Sequence, residues 1–558
     1  MAFLPKVPNV RLTSYFLNSI PKIPGGFSSH LLVVRLEWSI SVPIQIKILK
    51  LTTVRNNLRR RFIQNTLVGA AGIASLPLLQ SFSVANDTAN ESKAASLDRL
   101  YNVLKFGAKG DGETLDTKAI REAIVKAAQD GGGTVYFPAG KYISGTLFLK
   151  SNVHLHLEAG AILTGSKDLS DYPEIQTGFR FYAENYVTRA LIHAYKAENI
   201  GIRGDGKIDG QGNSDEFYSK NYKIRPYILW FVECKKVTVK EVELRSSPMW
   251  MQYYLGCDDV RLENLKIHNH GNHNNDLVDI DGCYNVIIKG IIGDSDDDGI
   301  TFKSTYGRIS ENIVVSDCII GSHCNGLKFG TETTGGFRNV TITNCVIRSS
   351  KVDRVLAGRR EGISGISLEI VDGGIMENVN ISNIVIDGPQ VPLFIRLGNR
   401  ARKHFPEASE PPVGIMRNIN ISNVIARASS KIGSSILGTP GGYIENLSLF
   451  NMRFICTGGG TEEDASTIIP EREKGYPEAI HYGTFSAYGL FIRRVKGLEL
   501  SNLTFELQKE DARPLMVFDD VHDGKVKDIT VSEKHSTDKY AIRENCTNLS
   551  IPELHQKF

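Results

Sequence analysis

From about residue 199 the chain repeats one phrase. Apolar and polar positions alternate, a small residue or asparagine follows, and a second alternating run begins. V-T-V-K-E-V-E-L at Val237, V-R-L-E-N-L-K-I at Val260 and V-I-I-K-G-I-I at Val286 are early copies. I-V-V-S-D-C-I-I at Ile313 and V-T-I-T-N-C-V-I at Val340 come next, and further copies start at Val379, Ile419, Leu447, Leu498 and Ile529. The starts at 260, 286, 313 and 340 lie 26, 27 and 27 residues apart. Period-two alternation predicts strands with one face buried. Its recurrence at that interval predicts an all-β, right-handed parallel β-helix, each coil burying Val, Ile and Leu on its neighbours. The longer intervals, 39 residues from 340 to 379 and 51 from 447 to 498, predict inserted loops that wall a groove. Asn264, Asn344, Asn383, Asn423 and Asn502 recur at one turn and predict internal asparagine ladders. Cys318 and Cys345 occupy one point of successive repeats, where a small apolar side chain stacks inside.

Ahead of the repeat, Asp116 or Thr117 is expected to cap a helix with Ile120, Ala123, Ile124 and Ala127 on one face. Gly131-Gly132-Gly133 ends it, and strands follow at Thr134–Phe137, Thr146–Leu149 and Val153–Leu157. This block is expected to cap one end of the solenoid. Residues 1–54 have no usable period and read as a mis-called or disordered leader. Residues 55–85 combine the basic segment Asn57–Gln64, an apolar run from Leu67 to Leu79 and the small-residue site Ser83-Val84-Ala85. That order describes an export signal, too short for a membrane span. Arg59-Arg60-x-Phe62-Ile63 resembles the twin-arginine type. Residues 86–99 read as a polar linker, and 100–558 as a single β-helix domain. The mature chain is expected in a bacterial periplasm or outside the cell, as a monomer with no stable membrane insertion.

Charge and cysteine usage narrow the functional classes. A net charge of +3 without a basic stripe argues against a nucleic-acid binder. The eight cysteines form no C-x-x-C pair, so neither a zinc site nor a thioredoxin motif is indicated. The turn G-A-K-G-D-G at Gly107–Gly112 lacks the Gly-Lys-Ser/Thr ending of a phosphate loop. No cofactor is expected.

The chemistry is concentrated in Asn274–Ser304. Asp276, Asp279, Asp281, Asp294, Asp296, Asp297 and Asp298 are interleaved there with Val278, Ile280, Val286, Ile288, Ile300 and Phe302. Any one of these aspartates is ordinarily a solvated surface charge. Converging carboxylates on a rigid surface instead push their pKa values apart and make an acid and a base. His268, His270 and His273 have no zinc spacing on a helix and are expected as polar groove lining, so no metal is expected.

The motifs in and around this stretch resemble glycoside hydrolase family 28, the polygalacturonase and rhamnogalacturonan hydrolase family of β-helix enzymes. The resemblance runs from about residue 102 to 535, through N-V-L-K-F-G-A-K-G-D-G, F-P-A-G-K-Y and Ser246–Trp250. Asn274-Asn275-Asp276 is similar to the family's Asn-x-Asp motif, and Asp297-Asp298-Gly-Ile-Thr-Phe-Lys303-Ser304 to its paired-aspartate motif. The resemblance implies an inverting hydrolase acting on a pectin-type polysaccharide or oligosaccharide. Asp297 would be the acid, and Asp276 and Asp298 would hold and deprotonate a water. Such carboxyl groups stand roughly 6.5–9.5 Å apart to admit the water. Asp297 and Asp298 can share one groove only if the chain bends, as Gly299 permits.

Two departures bear on substrate. The family's Gly-His-Gly is replaced by Ser322-His323-Cys-Asn325-Gly326, with Asn325 at the usual histidine position and His323 two residues earlier. Where the family's Arg-x-Lys binds a galacturonate carboxylate, this chain has Ser367-Leu-Glu369. An acid there suits a neutral sugar such as rhamnose, or a compensating cation from Lys303, Lys328, Arg396 or Arg400. His323, Asn325, Lys303, Lys328, Trp250 and Arg396 are the expected substrate-binding residues, with Gln252 and Tyr253 beside Trp250 as a stacking wall. Closure of the groove by Pro470–Glu478 would make cleavage exo-acting. The competing classes are a β-helix polysaccharide lyase using Ca²⁺ and a non-catalytic carbohydrate-binding β-helix.

Overall fold

The computed structural model describes residues 99–179, 187–218, 222–531 and 540–552. The expected leader, export signal and linker before Arg99 lie outside them. Among the described residues the strands join one sheet of parallel pairings that winds into a right-handed β-helix. A coil consists of three short strands separated by tight turns. One such coil runs through Val278–Asp281, Tyr284–Lys289 and Ile292–Ser295, and the next through Ile300–Ser304, Ser310–Ser316 and Ile319–Ser322. Each strand pairs with its equivalent one coil away, which generates three faces.

The alternation of the sequence is realised residue by residue on the first face. Tyr254, Ile280, Phe302, Phe329 and Leu368 stack in register and point inward, all fully buried. Phe302 and Phe329 are stacked with ring centroids 4.6 Å apart. Tyr253, Asp279, Thr301, Lys328 and Ser367 form the alternate, outward column. That column is covered by the long loops, so its polar side chains are buried as well.

The asparagine ladders are present, but on the outside of the coil. Asn344, Asn383, Asn423 and Asn502 are exposed, each with φ between 54° and 57°. Asn383 donates to Asn344 at 3.3 Å, Asn423 to Asn383 at 3.1 Å, and Asn502 to Asn451 at 2.9 Å. The left-handed backbone explains the residue type, since asparagine tolerates it and bonds locally. Inward positions at these corners belong instead to groups such as Cys318 and Cys345, both buried, and all eight cysteines are free thiols.

The helix spans Thr117–Gln129 and buries Ile120, Ala123, Ile124 and Ala127 against the first strands. Asp116 holds the N-cap position without capping the helix. Its carboxylate accepts the Lys109 and Gly110 amides at 2.7 and 3.0 Å and so fastens the glycine-rich turn.

Candidate active site

Two corner segments of adjacent coils meet at the acidic stretch. Asp276 precedes the strand Val278–Asp281, and Asp296–Gly299 forms the bend before Ile300–Ser304. The Leu277 amide donates to the Asp298 carbonyl at 3.1 Å, which seats Asp276 one coil away from the Asp297-Asp298 pair. The Gly299 amide donates to the Asn325 carbonyl at 2.8 Å. A Cβ on Gly299 would lie 2.3 Å from the Gly326 carbonyl oxygen, so the glycine is required by close approach of the next coil. The Ser295 and Ser322 hydroxyls both donate to the Asp297 carbonyl, at 2.8 and 2.6 Å. The bend is therefore fixed by three consecutive coils.

Asp297 is half-buried, while Asp276 and Asp298 keep 3% and 4% exposure. One carboxylate oxygen of Asp297, one of Asp298 and the Cys324 sulfur lie within 4.8 Å of one another. Asp298 accepts from the Asn325 amide and side chain at 3.1 and 2.8 Å, and pairs with Lys328 at 2.9 Å. Burial and then the Asp298 charge push Asp297 up to about 7, against the pull of Lys328. Burial also drives Asp276 well up, followed by the charges of Asp279 and Asp297. One Asp276 oxygen has no hydrogen-bond partner.

The cations are engaged by acids. Lys303 sits 3.4 Å from both Asp279 and Glu332, and 4.5 Å above the Trp250 ring centroid. Arg402 closes the group on Glu332 at 3.0 Å. Lys328 reaches Tyr476 at 3.5 Å and Glu478 at 3.8 Å on the late loop. Glu369 is fully buried, accepts from Ser367 at 2.7 Å and leaves its other oxygen unpartnered. Burial pushes its carboxyl up to about 8, against the Lys328 charge.

Asn325, Lys303, Lys328 and Trp250 thus gather around the three aspartates. Two expected substrate contacts do not. His323 has no exposed surface; its Nδ1 meets Asp296 Oδ1 and its Nε2 the Val352 carbonyl, both at 2.9 Å. Arg396 is 2% exposed and donates to the Gly438 and Glu471 carbonyls, both at 2.9 Å, tying loops together. The stacking wall reduces to Trp250, because Gln252 and Tyr253 are fully buried, and the Tyr253 hydroxyl donates to Asp281 at 2.8 Å. Arg400 is held by Asp372 and Thr331.

Glu332 and Arg402 had no signal in the sequence, and Tyr476 had one only as part of the late loop Pro470–Glu478. Lys328 and Tyr476 are 148 residues apart, and Glu332 lies within an irregularity in register between Ile300–Ser304 and Asn325–Thr333. Arg225 was also missed: buried, it donates to the Asn274 side chain at 3.0 Å and the His273 carbonyl at 2.7 Å, bracing the segment before Asp276.

A family model for glycosyl hydrolases family 28 matches residues 135–468. The chain belongs to this family. Among curated relatives it is 28% identical over 284 residues to a Vitis vinifera protein named as a probable polygalacturonase, covering 47% of this chain and 57% of that protein. It is 25% identical over 326 residues to the exo-poly-α-D-galacturonosidase of Dickeya chrysanthemi, covering 48% and 54%. The matched segments thus span little more than half the length of these relatives. The solved structure of a hyperthermoactive exopolygalacturonase from Thermotoga maritima aligns at a TM-score of 0.55 and 23% identity, over 72% of this chain and 92% of that one. That likeness is one of fold. The family-28 motifs quoted from the sequence fall on the two corner segments where the carboxylates converge.

Proposed function

We propose that this protein is a pectin-type glycoside hydrolase that works by inversion with Asp297 as acid. The observation that carries the reading is the pairing of two adjacent aspartates in unlike surroundings. Asp297 is half-buried beside a neighbouring charge, whereas Asp298 is gripped by Lys328 and Asn325. The first is suited to give a proton to the glycosidic oxygen and the second to take one from water, with Asp276 holding that water. Family membership supports the reaction class.

The substrate is a galacturonate- or rhamnose-containing chain attacked from its end. The contacts of Tyr476 and Glu478 with Lys328 support closure of the groove on that side by the late loop. A protonated Glu369 would not repel a uronate at neutral pH, so the loss of the family's cation does not by itself exclude galacturonate. The mature chain acts as an exported monomer without nucleic-acid partners. Among the described residues no helix is long and apolar enough to cross a membrane. A screen of pectin-derived oligosaccharides with wild type and Asp297→Asn tests the reading. Cleavage by wild type and near-complete loss in the variant are expected; equal activity removes Asp297 as the acid, and ultraviolet-absorbing unsaturated products would mark a lyase.

A further inference from the structure

Behind the acid-bearing bend, three successive coils bring a second set of side chains together. His270 follows the strand Lys266–Asn269, Asp296 follows Ile292–Ser295, and His323 follows Ile319–Ser322, so each stands at the same corner one coil apart. His323 Nδ1 lies 2.9 Å and His270 Nδ1 3.9 Å from the same atom, Asp296 Oδ1. One donor atom from each residue falls within 4.8 Å of the others. We propose that His270, Asp296 and His323 form a binding site for one divalent transition ion of the zinc class.

Four features support the assignment. A tetrahedral zinc with bonds of about 2.0–2.1 Å spaces its donors by roughly 3.3 Å, and the two observed distances bracket that value. The outer nitrogens are already committed: His270 Nε2 meets Asp294 Oδ1 and His323 Nε2 meets the Val352 carbonyl, both at 2.9 Å. Both partners are acceptors, so each Nε2 carries a proton and the Nδ1 atoms face Asp296, the arrangement that orients imidazoles onto a metal. Asp294 is fixed in turn by Arg348 at 2.8 Å and Ser350 at 2.5 Å. Both Asp296 oxygens are fixed by loop amides, Oδ2 by Ala357 at 2.7 Å and Oδ1 by Leu356 at 2.8 Å, and Oδ1 is also the atom that both rings face. Finally, the His270 side chain is 6% exposed and its Nδ1 has no hydrogen-bond partner, while Asp296 and His323 are fully buried.

Two imidazole nitrogens and one carboxylate suit zinc better than the all-oxygen preference of calcium or magnesium. The ion would pin three coils directly behind Asp297, independently of which substrate the groove takes. Spacing along the chain could not reveal the site, since its ligands come from three different coils.

Zinc binding to the full-length protein tests the inference. After dialysis against chelator and reloading with Zn²⁺, wild type is expected to retain one equivalent through gel filtration and to gain several degrees in Tm over the metal-free protein, reversed by fresh chelator. Co²⁺ should give a visible d–d spectrum, absent in His270→Gln/His323→Gln and kept in His268→Gln, whose ring is beside His270 but outside the ligand set. Failure of folded wild type to retain Zn²⁺, or equal retention by the double variant, overturns the assignment.

Discussion

Asp298 and Lys328 meet at 2.9 Å with side-chain exposures of only 6% and 3%. Removing one partner of a buried pair strands the other charge and typically costs about 3–5 kcal/mol. Lys328→Met is therefore expected to lower stability by that amount in denaturant titration. It should also lower kcat about 100-fold or more, because the proton-transfer geometry around Asp298 is lost. Glu369 provides a test through pH. Its carboxyl is raised from an ordinary 4.5 to about 8, so the folded state holds a proton that the unfolded chain has released. Stability from this group is full below about pH 4.5 and is lost as pH rises through about 8. At about 1.4 kcal/mol per pH unit the loss is at most about 5 kcal/mol. Glu369→Gln should flatten the decline in denaturation midpoint between pH 5 and 8; an unchanged profile would mean that the carboxyl is ionised in the fold.

At the scale of strands and corners, the two-residue alternation and the interval between copies made most of the coil legible. Val153–Leu157 was delimited to the residue, and the inward column Ile280, Phe302, Phe329 follows from alternation alone. The outward position of the asparagine ladders was not legible, because a one-dimensional pattern does not tell the inside of a corner from its outside. The φ of 54° at Asn423 supplies the missing term. Asn423→Ala keeps a Cβ in the left-handed region without the side-chain amide that compensates for it, breaks the ladder, and should cost about 1–2 kcal/mol. Asn423→Gly breaks the same hydrogen bonds without that strain and should be milder; urea midpoints of the two variants compare backbone with ladder. The late loop carries its own test. Deleting residues 470–478 should change the products of a long pectic polymer from single end units to a ladder of sizes. A ladder from wild type would itself remove the exo reading.

Across the whole molecule, the acidic stretch was recognisable because its motifs are contiguous, whereas the groups that surround it arrive from distant loops. Leu356 and Ala357 donate their amides to Asp296, Arg402 meets Glu332, and Glu478 approaches Lys328. No local pattern announces these partners, and they explain why His323 and Arg396 were expected in the groove but are spent on internal contacts. The export expected from the sequence is tested on the full chain: with a functional signal, Arg59→Lys/Arg60→Lys should stay in the cytoplasm, while wild type is recovered outside with a new N-terminus near Ala85.

The central claim is that Asp297 donates the proton while water enters from the opposite face under Asp276 and Asp298. Proton NMR of the first product formed by wild type from a pectin-derived oligosaccharide reads this directly. The account predicts the anomer opposite to that of the cleaved linkage; initial release of the same anomer would contradict it.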